Sequence, residues 1–263
     1  MRWTINILIF YLLLCGCNRI KMSQDLRIVS LSPAMTEVIF AIGAEKYLVG
    51  VTTYCDYPDS AKRIYKVGDF SNPSLERIIS LEPTLVIVNL PEQMRIKNQL
   101  EKFGIKVFVT SPTRLDDIYR EIIELGKSIK RERQADSLVN YMKENMKPSL
   151  NTKKKVYIEI CARPLITVGR NSYLNELIEM AGGINIFNDL NKDYPVVNQE
   201  QVIMKNPEII IVLHPESIDN RIGWKNILAV KNNRIYNDLN QDWIMRPGPR
   251  LVLGYKQLEK ILE

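Results

Sequence analysis

Two short stretches of the chain carry no polar side chain at all: residues 85–88, Leu-Val-Ile-Val, and residues 209–212, Ile-Ile-Ile-Val. A strand with one wet face alternates apolar and polar positions. An unbroken β-branched run therefore predicts a strand buried on both faces, as in a parallel sheet. Both runs have the same prelude. Residues 74–88 and 198–212 align without a gap, with Glu76 on Glu200, Pro83 on Pro207 and Val88 on Val212. Each copy predicts a polar N-cap (Ser74, Asn198), a short helix, a proline stop and the apolar strand. A fainter echo lies upstream. Residues 37–43 and 176–182 share helical spacing, a leading Glu and a terminal Gly, the usual residue just past a helix end. Strand candidates at 27–30 and 156–160 precede them. Strands alternating with helices imply parallel βαβ units, so the pattern predicts two similar α/β lobes.

Between the copies the period changes to that of helices. Residues 113–128 place Leu115, Ile118, Ile122 and Leu125 on one face, and Thr113 with Asp116 comes close to a capping box. Gly126 and the charges at 130–133 predict a break. Residues 131–147 repeat the pattern with Ala135, Leu138, Val139 and Met142, and Pro148 stops it. A helix of that length is roughly 25 Å long and could act as a stiff strut between lobes. The expected organisation is a leader over 1–16, an N-terminal lobe over 17–130, a linking helix over 131–150 and a C-terminal lobe over 151–263.

The leader reading rests on Arg2, the apolar run at 7–14 and the tetrad Leu14, Cys15, Gly16, Cys17. The run is short of the ~20 apolar residues that span a bilayer, and its layout is that of an export signal. The tetrad resembles the bacterial lipobox, which implies that Cys17 becomes the lipidated first residue. Such a protein works outside the cytoplasm, tethered to a membrane without crossing it. The formal charge of +6 is spread along the chain. It forms no basic stripe with stacking aromatics of the kind that binds nucleic acid. Cys55 and Cys161 have no spacing pattern that demands a disulfide and are expected to be unpaired.

Enzyme signatures are missing. The sequence contains no G-x-G-x-x-G, no G-x-x-x-x-G-K-[ST] and no G-x-S-x-G. His214 is the sole histidine. A bare zinc or manganese receptor assembles several His and carboxylate ligands, so neither a resident metal nor a catalytic constellation is expected. His214 follows the strand at 209–212 and is read as a polar loop residue.

Several longer segments carry a resemblance: residues 27–37, 49–58, 74–78, 182–187, 194–200 and 242–250. With the lipobox and the two bridged lobes, they are similar to the helical-backbone (class III) binding proteins of ABC importers, closest to the branch that binds vitamin B12. The resemblance implies an α/β fold of two Rossmann-like lobes with mostly parallel sheets, a linking helix and a ligand cleft between the lobes. It implies no intrinsic cofactor. The cargo would be a metal chelate, cobalamin first and a ferric siderophore or haem as the alternative; a sensor or adhesion protein on this fold is the reading of another class. The partners would be a permease dimer with its ATPase subunits, the receptor itself being expected to act as a monomer.

The same resemblance points to residues. Tyr54, Phe70 and Tyr194 match positions where aromatics lie against the cargo, and Asp242, Trp243 and Arg246 match a C-lobe loop reaching the cleft. A flat, largely apolar cargo suits aromatic faces with a few polar groups for orientation. Glu76 and Glu200 match the acidic residues, one per lobe, that dock on permease arginines. They are expected on one side of the molecule, away from the cargo. The chain departs from the B12 branch at Phe70 and Tyr194, where tryptophans are usual, and near Asn89, where another aromatic is. Arg246 could instead pair with an anionic siderophore or a haem propionate, since guanidinium matches carboxylate.

Overall fold

The computed structural model describes residues 25–149, 153–218 and 221–263; Cys17 and the leader lie outside them. The N-terminal sheet is parallel throughout, in the order β2 (Leu48–Val51), β1 (Ile28–Ser30), β3 (Leu85–Asn89), β4 (Val107–Thr110). The C-terminal sheet is built on β5 (Lys154–Ala162). On one side β5 pairs with β8 (Ile209–Val212), which pairs with β9 (Ile235–Tyr236). On the other it pairs with β6 (Leu165–Thr167) and β7 (Gly183–Asn185), and only β6 is antiparallel. The fold is thus the expected α/β pair of mostly parallel sheets. Both apolar runs are central strands, with all four residues of each buried.

The repeat extends to the backbone. In α2 (Leu75–Ser80) Ser74 Oγ accepts from Arg77 N–H at 3.3 Å; in α7 (Gln199–Lys205) Asn198 Oδ1 accepts from Gln201 N–H at 2.8 Å. Each helix ends before its proline through a left-handed residue, Glu82 at φ 45° and Asn206 at φ 47°. The chain therefore turns one residue earlier than a proline stop alone predicts. The fainter echo is also real. Helices α1 (Pro33–Ala41) and α6 (Tyr173–Met180) are followed by Gly43 and Gly182 at φ 66° and 92°, where a side chain would be strained.

Two predicted helix boundaries shift. α4 (Leu115–Ser128) starts one residue later than the Thr113 cap, and Asp117 rather than Asp116 accepts from the N–H groups of Thr113 and Arg114. Gly126 does not break the helix. A Cβ there would lie 2.4 Å from the Ala135 Cβ, so the glycine lets α4 approach α5 (Glu132–Asn145) closely. The turn comes at Lys130, φ 59°. At 1.5 Å per residue α5 is about 21 Å long. It lies beside α4 and touches α10 (Leu251–Leu262).

Alternation along the strands sets three apolar layers. Val29, Val86 and Val88 face an outer N-lobe core with α3 (Met94–Lys102), and Tyr157, Ile210 and Val212 face an outer C-lobe core with Trp224. Ile28, Ile87, Ile158 and Ile211 face inward. They share one continuous core with α1, α4, α5, α6 and α10.

Candidate functional site

Ligand sites in open α/β sheets form where strands end and loops begin. After β2, the loop at 52–58 projects Tyr54, 57% exposed, whose ring meets Phe70 edge-on at 6.5 Å. Phe70 is held from behind. Gln93, buried at the start of α3, donates to the Phe70 and Leu31 carbonyls at 2.8 and 3.1 Å, and its Oε1 accepts from Asn89 N–H at 2.8 Å. One glutamine thus ties three N-lobe loops together. Nothing in its local sequence distinguishes it from a surface helical glutamine.

The C-lobe side is built from α9 (Gln241–Met245) and the loop after it. Asn240 caps α9, its Oδ1 accepting from Trp243 N–H at 3.3 Å, which fixes Asp242 and Trp243 in the first turn. Gly254 of α10 is required there, because a Cβ would stand 2.3 Å from the Trp243 carbonyl oxygen. Tyr194 presents an exposed ring whose hydroxyl end is buried, hydrogen-bonded to Ser172 and Tyr173; burial pushes its phenol above the ordinary value, against those two bonds. The Tyr173 hydroxyl lies within hydrogen-bond distance of the Met245 carbonyl at 2.9 Å and the Ile244 carbonyl at 3.2 Å, between which its single proton is shared. Tyr194 is therefore coupled mechanically to α9.

The two sides meet through charge. Arg246 donates to Asp56 at 2.7 Å and Glu37 at 3.2 Å and pairs with Asp242 at 3.0 Å; its side chain is 13% exposed. Arg250 grips Glu37 with Nε and Nη2 at 2.8 and 2.5 Å and lies over the Tyr57 ring, 4.1 Å from its centre. Burial pushes the Asp56 carboxyl up, but Arg246 outweighs it and holds it below the usual carboxylate value. Arg246 is thus engaged by three carboxylates of the protein itself. Sequence reading had left it open to an anionic cargo, since two of its three partners, Asp56 and Glu37, lie 190 and 209 positions away and only Asp242 is local, four positions before it. On a second flank, Glu176 accepts from Arg114 and from Leu115 N–H, both at 2.8 Å. Beside it runs a groove of about 610 Å³ lined by Arg170, Asn188 and Asp193 among others.

Glu76 and Glu200 open α2 and α7 in separate lobes. The α2 cap is tied to the carboxyl end of β2 through Ser74 N–H to the Val67 carbonyl and Val67 N–H to the Val51 carbonyl. The α7 cap is tied to the hairpin after β5 through Val197 N–H to the Leu165 carbonyl. Both glutamates therefore stand at the strand-carboxyl edge, the edge from which the candidate cargo loops project. A helix that precedes its strand by a tight turn begins where that strand ends, which accounts for the shared edge.

His214 has both ring nitrogens engaged. Nδ1 accepts from Glu216 N–H at 3.1 Å, so Nε2 carries the proton it shares with Glu159 at 2.7 Å. Cys55 is buried with its sulfur 3.2 Å from the Thr36 and Thr52 hydroxyls, and neither Cys55 nor Cys161 is paired. No group of three His, Cys, Asp or Glu suited to a metal occurs among the described residues. Nor is any helix among them long and apolar enough to cross a membrane.

Residues 28–241 match the periplasmic binding protein family, and the chain belongs to it. It is 31% identical over 240 residues to a vitamin B12-binding protein of Yersinia pestis (strain Pestoides F), covering 88% of this chain and 84% of that one. It is 32% identical over 248 residues to an uncharacterised ABC transporter substrate-binding lipoprotein of Bacillus subtilis (strain 168), covering 88% and 78%. The crystal structure of a possible iron-binding periplasmic solute-binding protein from Staphylococcus epidermidis ATCC 12228 superposes with a TM-score of 0.80 at 31% identity, covering 89% and 97%. The chain is an ABC-transporter substrate-binding protein of the class that takes B12, haem and siderophores.

Proposed function

We propose that this chain is an exported lipoprotein, anchored through Cys17, that captures vitamin B12 between lobes 17–130 and 151–263 and delivers it to an ABC permease. It binds and does not catalyse. The observation that supports the reading is that Tyr54 in the N lobe and Tyr194 in the C lobe each present an exposed ring, with Trp243 half-buried in the first turn of α9, beside the inter-lobe contact that Arg246 makes with Asp56 and Glu37. A flat chelate buried between such faces gains most of its binding from apolar area, with Asp242 fixing its orientation.

A ferric siderophore or haem is the second reading, supported by the iron-binding name of the Staphylococcus neighbour. Titrating the protein calorimetrically with cyanocobalamin, haemin and a ferric siderophore panel tests both. Saturable heat with cyanocobalamin alone supports the first; heat with an iron chelate alone replaces it with the second. Glu76 and Glu200 are proposed as the permease contacts. Glu76→Lys and Glu200→Lys should leave cargo binding unchanged but lower ATPase stimulation of the reconstituted transporter, the double variant most. Loss of cargo binding in either would place that glutamate in the cargo site.

A further inference from the structure

Two of the segments singled out in the sequence end on each other. Residues 27–37 finish at Glu37 and residues 242–250 at Arg250, and these ends form a bidentate pair across the lobes. The Glu37 side chain is 2% exposed and accepts from two guanidinium groups. Arg246, held between Glu37 and Asp56, lies on the same stretch as Asp242 and Trp243. Backbones also close here: a Cβ on Gly248 would lie 3.2 Å from the Ala34 carbonyl oxygen and 3.5 Å from the Ala34 Cβ. Lys66, the further cation near Asp56, is turned inward and donates to the Cys55 and Ala61 carbonyls at 3.0 Å.

We propose that Glu37 is a positioning residue that clamps residues 242–250 of the C lobe to α1 of the N lobe, setting the gap between the aromatic walls before cargo arrives. Arg246 and Arg250 are struts in this clamp and not anion receptors. The cargo consequence rests on the capture reading above. A cleft with a preset gap loses less freedom on binding, so releasing the clamp weakens affinity without removing any group that touches cargo. The neighbouring contact through Glu176 cannot substitute, because the Arg114 side chain is 68% exposed, and exposed pairs hold weakly.

The test uses the full chain in detergent, with Glu37→Gln as the variant and Arg250→Lys in its place should the first not fold. Hydrogen exchange at 241–250 should accelerate at least about tenfold, because local opening sets protection. Cyanocobalamin should bind at least about tenfold more weakly. The Ala34→Cys/Gly248→Cys pair has a Cβ separation suited to a disulfide; oxidised in the Glu37→Gln background, it should restore both, which lost stability alone would not do for affinity. Wild-type exchange at 241–250 overturns the clamp. Faster exchange with unchanged affinity overturns its role in positioning. If the wild-type protein does not bind cyanocobalamin, the B12 reading fails, while exchange still decides whether the clamp exists.

Discussion

The two lobes repeat one pattern and differ at a buried position near the end of the first strand of each. Leu31 follows the Ser30–Ile87 pair of β1 and β3, and by the same register its counterpart at the end of the C-lobe pair is Glu159, which stands opposite Val212, the counterpart of Val88. Leu31 and Glu159 are both fully buried. The leucine fills an apolar layer. The glutamate receives the Arg221 fork at 2.6 and 2.7 Å, His214 at 2.7 Å and the Tyr157 hydroxyl at 3.0 Å, with Arg221 stacked 4.5 Å from the Trp224 ring centre. The N lobe fastens its post-strand loop with neutral bonds from Gln93, the C lobe with a buried ionic knot. One topology thus accepts either solution, provided that every buried charge has a partner.

The comparison breaks first at the knot. Glu159→Ala should cost about 3–5 kcal/mol, because it strands a buried guanidinium; a fall in the urea midpoint reads it. Replacing Glu159, Arg221 and His214 together by Leu, Met and Leu makes the C lobe imitate the N lobe. That variant should recover most of the loss, and failure to do so would mean the knot is more than a substitute for apolar packing.

Next come the cleft walls. Tyr194→Ala should weaken cargo binding by about 1–3 kcal/mol, the scale for burying a large apolar side chain. Tyr54→Ala should weaken it without loosening α9, since only Tyr194 leans on the Tyr173 relay. Equal protection of residues 244–245 in both variants would remove the distinction.

A smaller effect follows from pH. The Asp56 carboxyl is held below its ordinary value of 3.8 by Arg246 against the burial that pushes it up. Its contribution to the inter-lobe contact is therefore complete above that value and lost as pH falls through the lower, folded one. Thermal melts should show extra acid sensitivity below about pH 4, and Asp56→Asn should remove it.

The smallest effect compares the helix ends. Glu82 and Asn206 occupy the same left-handed turn, and only asparagine tolerates it well. Glu82→Asn should raise stability by up to about 1 kcal/mol, seen as a higher melting temperature.

Most of the fold could be read from the chain, for a local reason. Residues 85–88 and 209–212 are apolar without interruption, and their caps and glycines lie within a few positions of the elements they start or stop. The candidate cargo residues came from resemblance and not from spacing. What escaped was long-range pairing. Arg246 meets Glu37 and Asp56, Arg221 meets Glu159, and Gln93 reaches Phe70 and Leu31, each across 23 or more positions. A charge or amide reads identically whether it is solvated or buried against a partner, and only the folded chain decides. Gly126 was misread likewise, because its partner Ala135 belongs to another helix.

The inward layer shared by the two sheets bears on how such a molecule came to exist. Each half of the repeat lends Ile28 and Ile87, or Ile158 and Ile211, to a single interior closed by α4, α5 and α10. A half-chain by itself would leave that face bare, a surface that associates in water. An ancestral unit of one repeat would then have been a symmetric homodimer, with equivalent acids at both helix starts from the outset. Gene duplication followed by fusion would free the two copies to diverge, one keeping its leucine and the other acquiring its ionic knot. Residues 153–263 expressed without their companion should accordingly self-associate or aggregate rather than remain monomeric, and ultracentrifugation would show it.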